Sequence, residues 1–210
     1  MNIMSNYVIS IGRQLGSGGK DIAEKLGKIL NIPVYDKRLL AVAATESGLD
    51  TTVFEKADEK ESDSFLGNFS ALRSSMIDYF SGEESYMNRD RIFQIQSEVM
   101  RDIASRESCI IVGRCSEYVL RDHPQLISIF ITADIDDRIS RTMIKDNLNE
   151  ERAKERISKG DKKRKSYHDY YATTQWGDTK CYDLCLNSSR LGIDGTVEFI
   201  KEYITRRLAE

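Results

Sequence analysis

The apolar positions of this chain change period twice within its first thirty residues. Tyr7, Val8, Ile9 and Ile11 form a β-favouring run, whereas Ile22, Leu26, Ile29 and Leu30 recur at i, i+4, i+7 and i+8, the spacing of one buried helical face. Between them lies Gly16-Ser17-Gly18-Gly19-Lys20. The order is therefore strand, glycine-rich turn, helix. Four further runs, from Ile32 to Asp36, Cys109 to Gly113, Leu126 to Thr132 and Tyr182 to Asn187, are short and nearly all apolar. Parallel strands buried on both faces read this way, and helical stretches lie between most of them. The pattern predicts an α/β fold with a five-stranded parallel sheet flanked by helices, whose ligands sit at the carboxyl ends of the strands. Gly12-Arg13, Asp36, Gly113-Arg114 and Thr132-Ala133-Asp134 fall at such ends.

Residues 37–107 hold no convincing strand and are too long for a simple crossover, so a helical insertion is expected there. LLAVAATESGLD is helix-like as far as Gly48, Asp58 to Ser64 is charged, and Asp90 to Ser105 places Ile92, Ile95, Val99 and Ile103 on one face. The last helix, Gly195 to Leu208, aligns Val197, Ile200, Ile204 and Leu208, with Asp194 as its expected cap.

Composition narrows the class. At 210 residues one domain with a sizeable core is expected. No apolar run approaches a membrane span, and the N-terminus lacks the features of a signal peptide, so a cytoplasmic protein without a membrane partner is expected. Cys109, Cys115, Cys181 and Cys185 form no CxxC pair and are expected to be buried, reduced thiols rather than metal ligands. The net charge of −3 argues against nucleic acid as a partner. Within it, Arg152, Lys154, Arg156, Lys159, Lys162, Lys163, Arg164 and Lys165 crowd one segment, either as a solvated helix face or as a cationic lid over phosphates.

The glycine-rich turn carries the candidate chemistry. Glycines let successive backbone N–H groups turn inward on an anion beside the positive end of a helix dipole, and Lys20 would meet the outer phosphates. Set against the pattern G-x-x-x-x-G-K-[ST], Gln14 stands for the first glycine and Asp21 for the hydroxyl. A tight corner with Asp21 favoured by the helix dipole is the structural alternative.

Taken together, these motifs resemble the nucleoside monophosphate kinases, and most closely the cytidylate-kinase-like P-loop family. ISIGRQLGSGGKDIAEKL with IPVYDKRLL is similar to the phosphate loop, first helix and second strand of that family. CIIVGRCSEYVL is similar to the Gly-Arg turn facing the acceptor, IFITADIDDRISR to the fourth strand and arginine-bearing helix, and SKGDKKRKSYHDYY with YDLCLNSS to the lid and last strand. The lid departs from the family pattern in having Lys159-Gly160 before its D-x-x-R.

The resemblance implies a P-loop kinase fold with a helical acceptor-binding insertion over 37–107 and a basic lid over 145–180. It implies ATP and Mg²⁺ as cofactors and a nucleotide or small-molecule phosphate acceptor as partner. Arg13, Gly16, Ser17, Gly18, Gly19, Lys20 and Asp21 would bind the cofactor. Asp36, Arg38, Arg91 and Arg114 would bind the acceptor, and Lys20, Arg141, Arg164 and Asp161 would be catalytic; Arg138 and Arg156 would also approach the donor. Taken singly, Arg91 and Arg138 read as solvent-exposed charges. Asp36 either bonds the acceptor or caps the following helix, and Asp161 either orients an arginine or makes an i, i+3 pair with Arg164. Asp21 either takes the metal or repels phosphate. Tyr167, Tyr170, Tyr171 and Trp176 are expected to pack under the lid, and His123 and His168 show no partner in the sequence. The expected activity is phosphorylation of a nucleoside monophosphate, CMP or dCMP first. A kinase of another small metabolite, a nucleotide-binding sensor, and an RNA-binding use of the basic segment are the alternatives.

Overall fold

The computed structural model describes residues 6–36 and 86–209. Five strands form one sheet: β1 (Val8–Arg13), β2 (Val34–Tyr35), β3 (Cys109–Val112), β4 (Leu126–Thr132) and β5 (Leu184–Asn187). Their order is β2-β3-β1-β4-β5 and every pairing is parallel, with Val8 opposite both Cys109 and Leu126. The helices are α1 (Gly19–Leu30), α2 (Tyr86–Arg106), α3 (Ser116–Val119), α4 (Ile135–Asp146), α5 (Glu150–Tyr171) and α6 (Ser188–Leu208). This is the P-loop kinase fold the sequence predicts. From β1 the chain runs to β2 and β3 on one side of it and then crosses to β4 and β5 on the other, so a crevice opens at the carboxyl end of β1.

Strand alternation divides the core. Ile9, Ile11, Ile110, Val112, Ile127, Ile129 and Ile131 face one side, where Ile22, Ala23 and Leu26 of α1 and Val197, Ile200 and Ile204 of α6 cover them. Val8, Cys109 and Ile111 face the other, under Ile95, Val99, Met100 and Ile103 of α2. Each fully buried isoleucine stabilises the fold by about 2–3 kcal/mol.

Several boundaries move for identifiable reasons. β1 runs on through Gly12 and Arg13, which pair with Phe130 and Ile131 and so carry the glycine loop to the sheet edge. β2 shrinks to two residues because Asn31, left-handed at φ 53°, ends α1 and the Ile32 N–H bonds Gly27 O at 3.0 Å. The expected cap at Asp194 is corrected: α6 starts at Ser188, where the Asn187 side chain accepts from Ser189 N at 2.9 Å, and Gly192 (φ 67°) interrupts it. Asp194 instead pairs with Lys25 of α1. Cys109 and Cys115 are buried as expected, but Cys185, on the edge strand, is exposed. The segments 39–48 and 58–64 and most of the expected insertion lie outside the described residues, whereas α2 starts at Tyr86, earlier than its apolar face required.

The basic segment lies on α5, where Lys154, Lys159 and Lys165 pair with Glu150, Glu155 and Asp169 one turn away. Arg156 is held by Asp146 at the end of α4. Among the described residues no helix is long and apolar enough to cross a membrane.

The packing sets a stability contrast. Ile129→Ala, at a fully buried position, is expected to cost about 3 kcal/mol in urea unfolding, whereas Ile144→Ala on exposed α4 surface should change stability by less than about 0.5 kcal/mol.

Candidate active site

The loop between β1 and α1 begins with Gln14 N bonded to Ile131 O at 3.0 Å, which continues the sheet by one step. Leu15 is then gripped at both backbone groups. Its N–H donates to Asp161 Oδ1 at 2.8 Å, and its carbonyl accepts from Arg138 Nε at 2.7 Å. Arg138 and Asp161 form an ion pair with each other, closing a ring between the loop, α4 and α5. The Leu15 side chain packs with Ile139, Ala153 and Ile157. Two glycines make this approach possible. At Gly16 (φ 78°) a Cβ would come 2.6 Å from Arg138 O, and at Gly160 a side chain would overlap Leu15. Gly160, where the lid departs from the family pattern, is thus the position at which α5 admits the loop.

These contacts correct two expectations. Arg138 is buried, not exposed, and its guanidinium holds the loop. Asp161 does orient an arginine, but that arginine is Arg138 from α4 rather than Arg164 one turn ahead on α5.

Beyond Leu15 the loop turns into α1. Ser17 Oγ donates to Gln14 O at 2.9 Å, and Ser17 O accepts from Ser188 Oγ at 2.7 Å. Arg141 Nη1 meets Ser188 Oγ at 3.1 Å and Gly16 O at 3.4 Å, which places that arginine beside the loop. Gly18 (φ 78°) caps α1 without a side chain of its own, and the first helical amide, Gly19 N–H, makes only a long bond to Ser17 Oγ at 3.4 Å. Such a terminus favours an anion. Lys20 reaches Asp36 Oδ2 at 3.2 Å and Glu24 at 3.6 Å, linking the helix start to the end of β2. Asp21 is exposed and lies 3.9 Å from Lys145 Nζ.

Across the crevice, β3 ends in three successive left-handed residues, Gly113 (φ 76°), Arg114 (φ 60°) and Cys115 (φ 56°). Non-glycine residues in this region cost about 1–2 kcal/mol each, and such strain is concentrated at functional sites. The turn sets the Arg114 guanidinium 4.9 Å from the centre of the Tyr167 ring. Arg13 reaches the same turn, and burial together with the charges of Arg164 and Arg114 lowers its pKa to about 9. Arg164 Nη1 donates to Arg13 O at 3.0 Å. Arg13, Arg114 and Arg164 therefore converge where β1 and β3 end. Arg91 lies on exposed α2 surface and Arg38 outside the described residues. Three of the four expected aromatic residues pack: Phe93 stacks on Tyr171 at 3.9 Å, Tyr167 packs beside both, and Trp176 meets Phe130 edge-on, whereas Tyr170 meets Tyr171 edge-on but is exposed.

His168 has the partner that the sequence could not reveal. Its Nε2 lies 2.7 Å from Glu117 Oε1, and both side chains are buried. Glu117 belongs to α3, straight after the strained turn, so the pair ties that turn to α5. Burial alone would lower the His168 pKa, but bonds to Glu117 and Asp169 outweigh it and the value is raised. A histidine with a raised folded pKa stabilises the fold fully below its unfolded value, here 6.5, and loses that contribution as pH rises through the folded value. Stability should therefore be full at pH values below 6.5 and fall as pH rises above it, and thermal melts of His168→Gln should lose that dependence. Glu117→Ala should cost about 3 kcal/mol at the lower pH, because it strands a buried charge.

The cytidylate kinase-like family model matches residues 8–190. The chain is 23% identical to a cytidylate kinase of Pyrobaculum islandicum, over 94% of this chain and 92% of that protein, and 27% identical to one of Methanopyrus kandleri, over 95% and 93%. Among solved structures, an uncharacterized protein from Eubacterium ventriosum is similar with a TM-score of 0.70 and 32% identity, covering 95% of this chain and 99% of that one. A shikimate kinase from Bacteroides thetaiotaomicron shares the fold alone, with a TM-score of 0.50 and 12% identity over 95% and 98%. With loop, Gly-Arg turn and last strand all inside the matched span, the chain belongs to the cytidylate kinase-like family of P-loop kinases.

Proposed function

We propose that this protein transfers the γ-phosphoryl group of ATP to a nucleoside monophosphate in the cytoplasm, with CMP or dCMP as acceptor. The observation that carries the reading is the convergence of Arg13, Arg114 and Arg164 at the ends of β1 and β3, none of them ion-paired among the described residues. Partly buried positive charge without a carboxylate partner is costly unless an anion completes it. Phosphoryl transfer needs this arrangement, because two polyanions must be brought together and the charge of the moving group stabilised.

The loop amides and Lys20 take the donor phosphates, with Arg141 and Arg164 closing on them from α4 and α5. Arg114 takes the acceptor phosphate, and Asp36 an acceptor hydroxyl or base group. The residues fit Mg²⁺, since this ion binds through one or two carboxylates together with substrate phosphates and water. Asp21, on the first turn of α1 and close to Lys145, is the carboxylate that would hold it. Mg²⁺ supplies charge neutralisation across the donor phosphates. Asp161 acts on the loop's shape rather than on substrate.

A steady-state assay of ADP formation across nucleoside monophosphates and small phosphorylated or hydroxylated metabolites tests the reading. Turnover is expected with CMP or dCMP, and tight ATP binding without turnover on any acceptor would make the protein a sensor instead. Lys20→Ala should weaken ATP binding and phosphoryl transfer together by about tenfold or more. Arg114→Ala should lower kcat/KM for the acceptor by about a hundredfold, or 2.7 kcal/mol, and leave ATP affinity within a few fold.

A further inference from the structure

Arg13 occupies a position that neither the donor loop nor the acceptor turn accounts for alone. It is the last residue of β1, and its stem crosses the first residue of α1, where a Cβ on Gly19 would come 2.6 Å from Arg13 Cβ. Its guanidinium then fills the space left by the missing side chain of Gly113, since a Cβ there would overlap Arg13 Nη1. One side chain thus reaches from the start of the phosphate-loop helix to the Gly113-Arg114 turn.

Among the described residues no carboxylate is given over to its charge. Asp36 and Glu117 are near enough to favour the charged form, but Asp36 pairs with Lys20 and Glu117 with His168. Among the described residues Arg13 makes no ion pair, and Arg164 and Arg114 add like charge beside it. With a pKa lowered only to about 9 it still carries its proton at neutral pH. A planar guanidinium at this place can turn separate, fixed N–H edges to two phosphates, whereas a lysine ammonium offers its donors from a single point.

We propose that Arg13 is a catalytic residue that bridges the donor's terminal phosphoryl group and the acceptor phosphate and follows the charge as it passes between them. The proposal rests on the reading of the crevice as a phosphoryl-transfer site. In the step, an oxygen of the acceptor phosphate forms a bond to the γ-phosphorus while the bond from that phosphorus to the β,γ-bridging oxygen breaks. The electron pair leaves with ADP, and the acceptor becomes a nucleoside diphosphate. The attacking phosphate oxygen is already ionised, so no proton moves and Arg13 keeps its own.

The test uses the full chain carrying Arg13→Lys and Arg13→Ala, with the acceptor that the wild type turns over best. Arg13→Lys should lower kcat by about a hundredfold or more, while calorimetric Kd values for ATP and for the acceptor, each alone, stay within about fivefold of wild type. Guanidinium ion added to Arg13→Ala should restore part of kcat. A readout without turnover is the complex of ADP, aluminium fluoride and CMP, which mimics the moving group; wild type should bind the three together far more tightly than ADP and CMP, and Arg13→Lys should not. Wild-type kcat in Arg13→Lys, weakened ATP binding at unchanged kcat, or activity loss that only tracks a lowered Tm would each overturn the proposal. A wild type inactive on every nucleoside monophosphate would instead remove the reading of the crevice on which the proposal rests.

Discussion

The grip on Leu15 is the constraint from which the rest of the site follows. A glycine-rich loop has no conformation of its own to defend, because glycine gains its freedom in the unfolded chain as well. Here Asp161 takes the Leu15 amide and Arg138 its carbonyl, and the two close an ion pair with little exposure to water. Such a pair is expensive to break, since either partner alone would be left buried and charged. Gly16 and Gly160 are small where α4 and α5 must come close, and the loop emerges with its next residues turned into the start of α1.

Charge is distributed in the same economical way. The chain is slightly acidic, and the exposed lysines of α5 are largely matched by acids on their own helix. Among the described residues, Arg13, Arg114 and Arg164 at the strand ends are partly buried cations without an ion pair. α5 reaches that cluster at two points: Arg164 meets the backbone of β1, and His168 meets Glu117 beside the β3 turn. Movement of this helix would therefore be felt on the donor and acceptor sides together.

Much of the fold was legible because buried parallel strands are short apolar runs, and all five were found. What sequence could not provide was partner choice. Arg138 looked like a surface charge because its two partners are 123 and 23 residues away in the chain. His168 lacked a partner for the same reason, Glu117 lying on a separate helix 51 residues earlier. The misplaced cap at Asp194 has a local cause: Gly192 allows the helix to begin earlier and bend, so a second cap-like residue appears within it. Gly160 read as a departure from the family pattern, and only its contact with Leu15 shows what a smaller residue permits.

The central claim is that donor and acceptor phosphates share one arginine-lined crevice. The measurement that addresses it most directly is a calorimetric titration with adenosine and cytidine joined through five phosphates. If the claim holds, one molecule binds per chain with an affinity about a hundredfold or more above that of either ATP or CMP, because the second contact becomes intramolecular. Binding no tighter than ATP alone would contradict it.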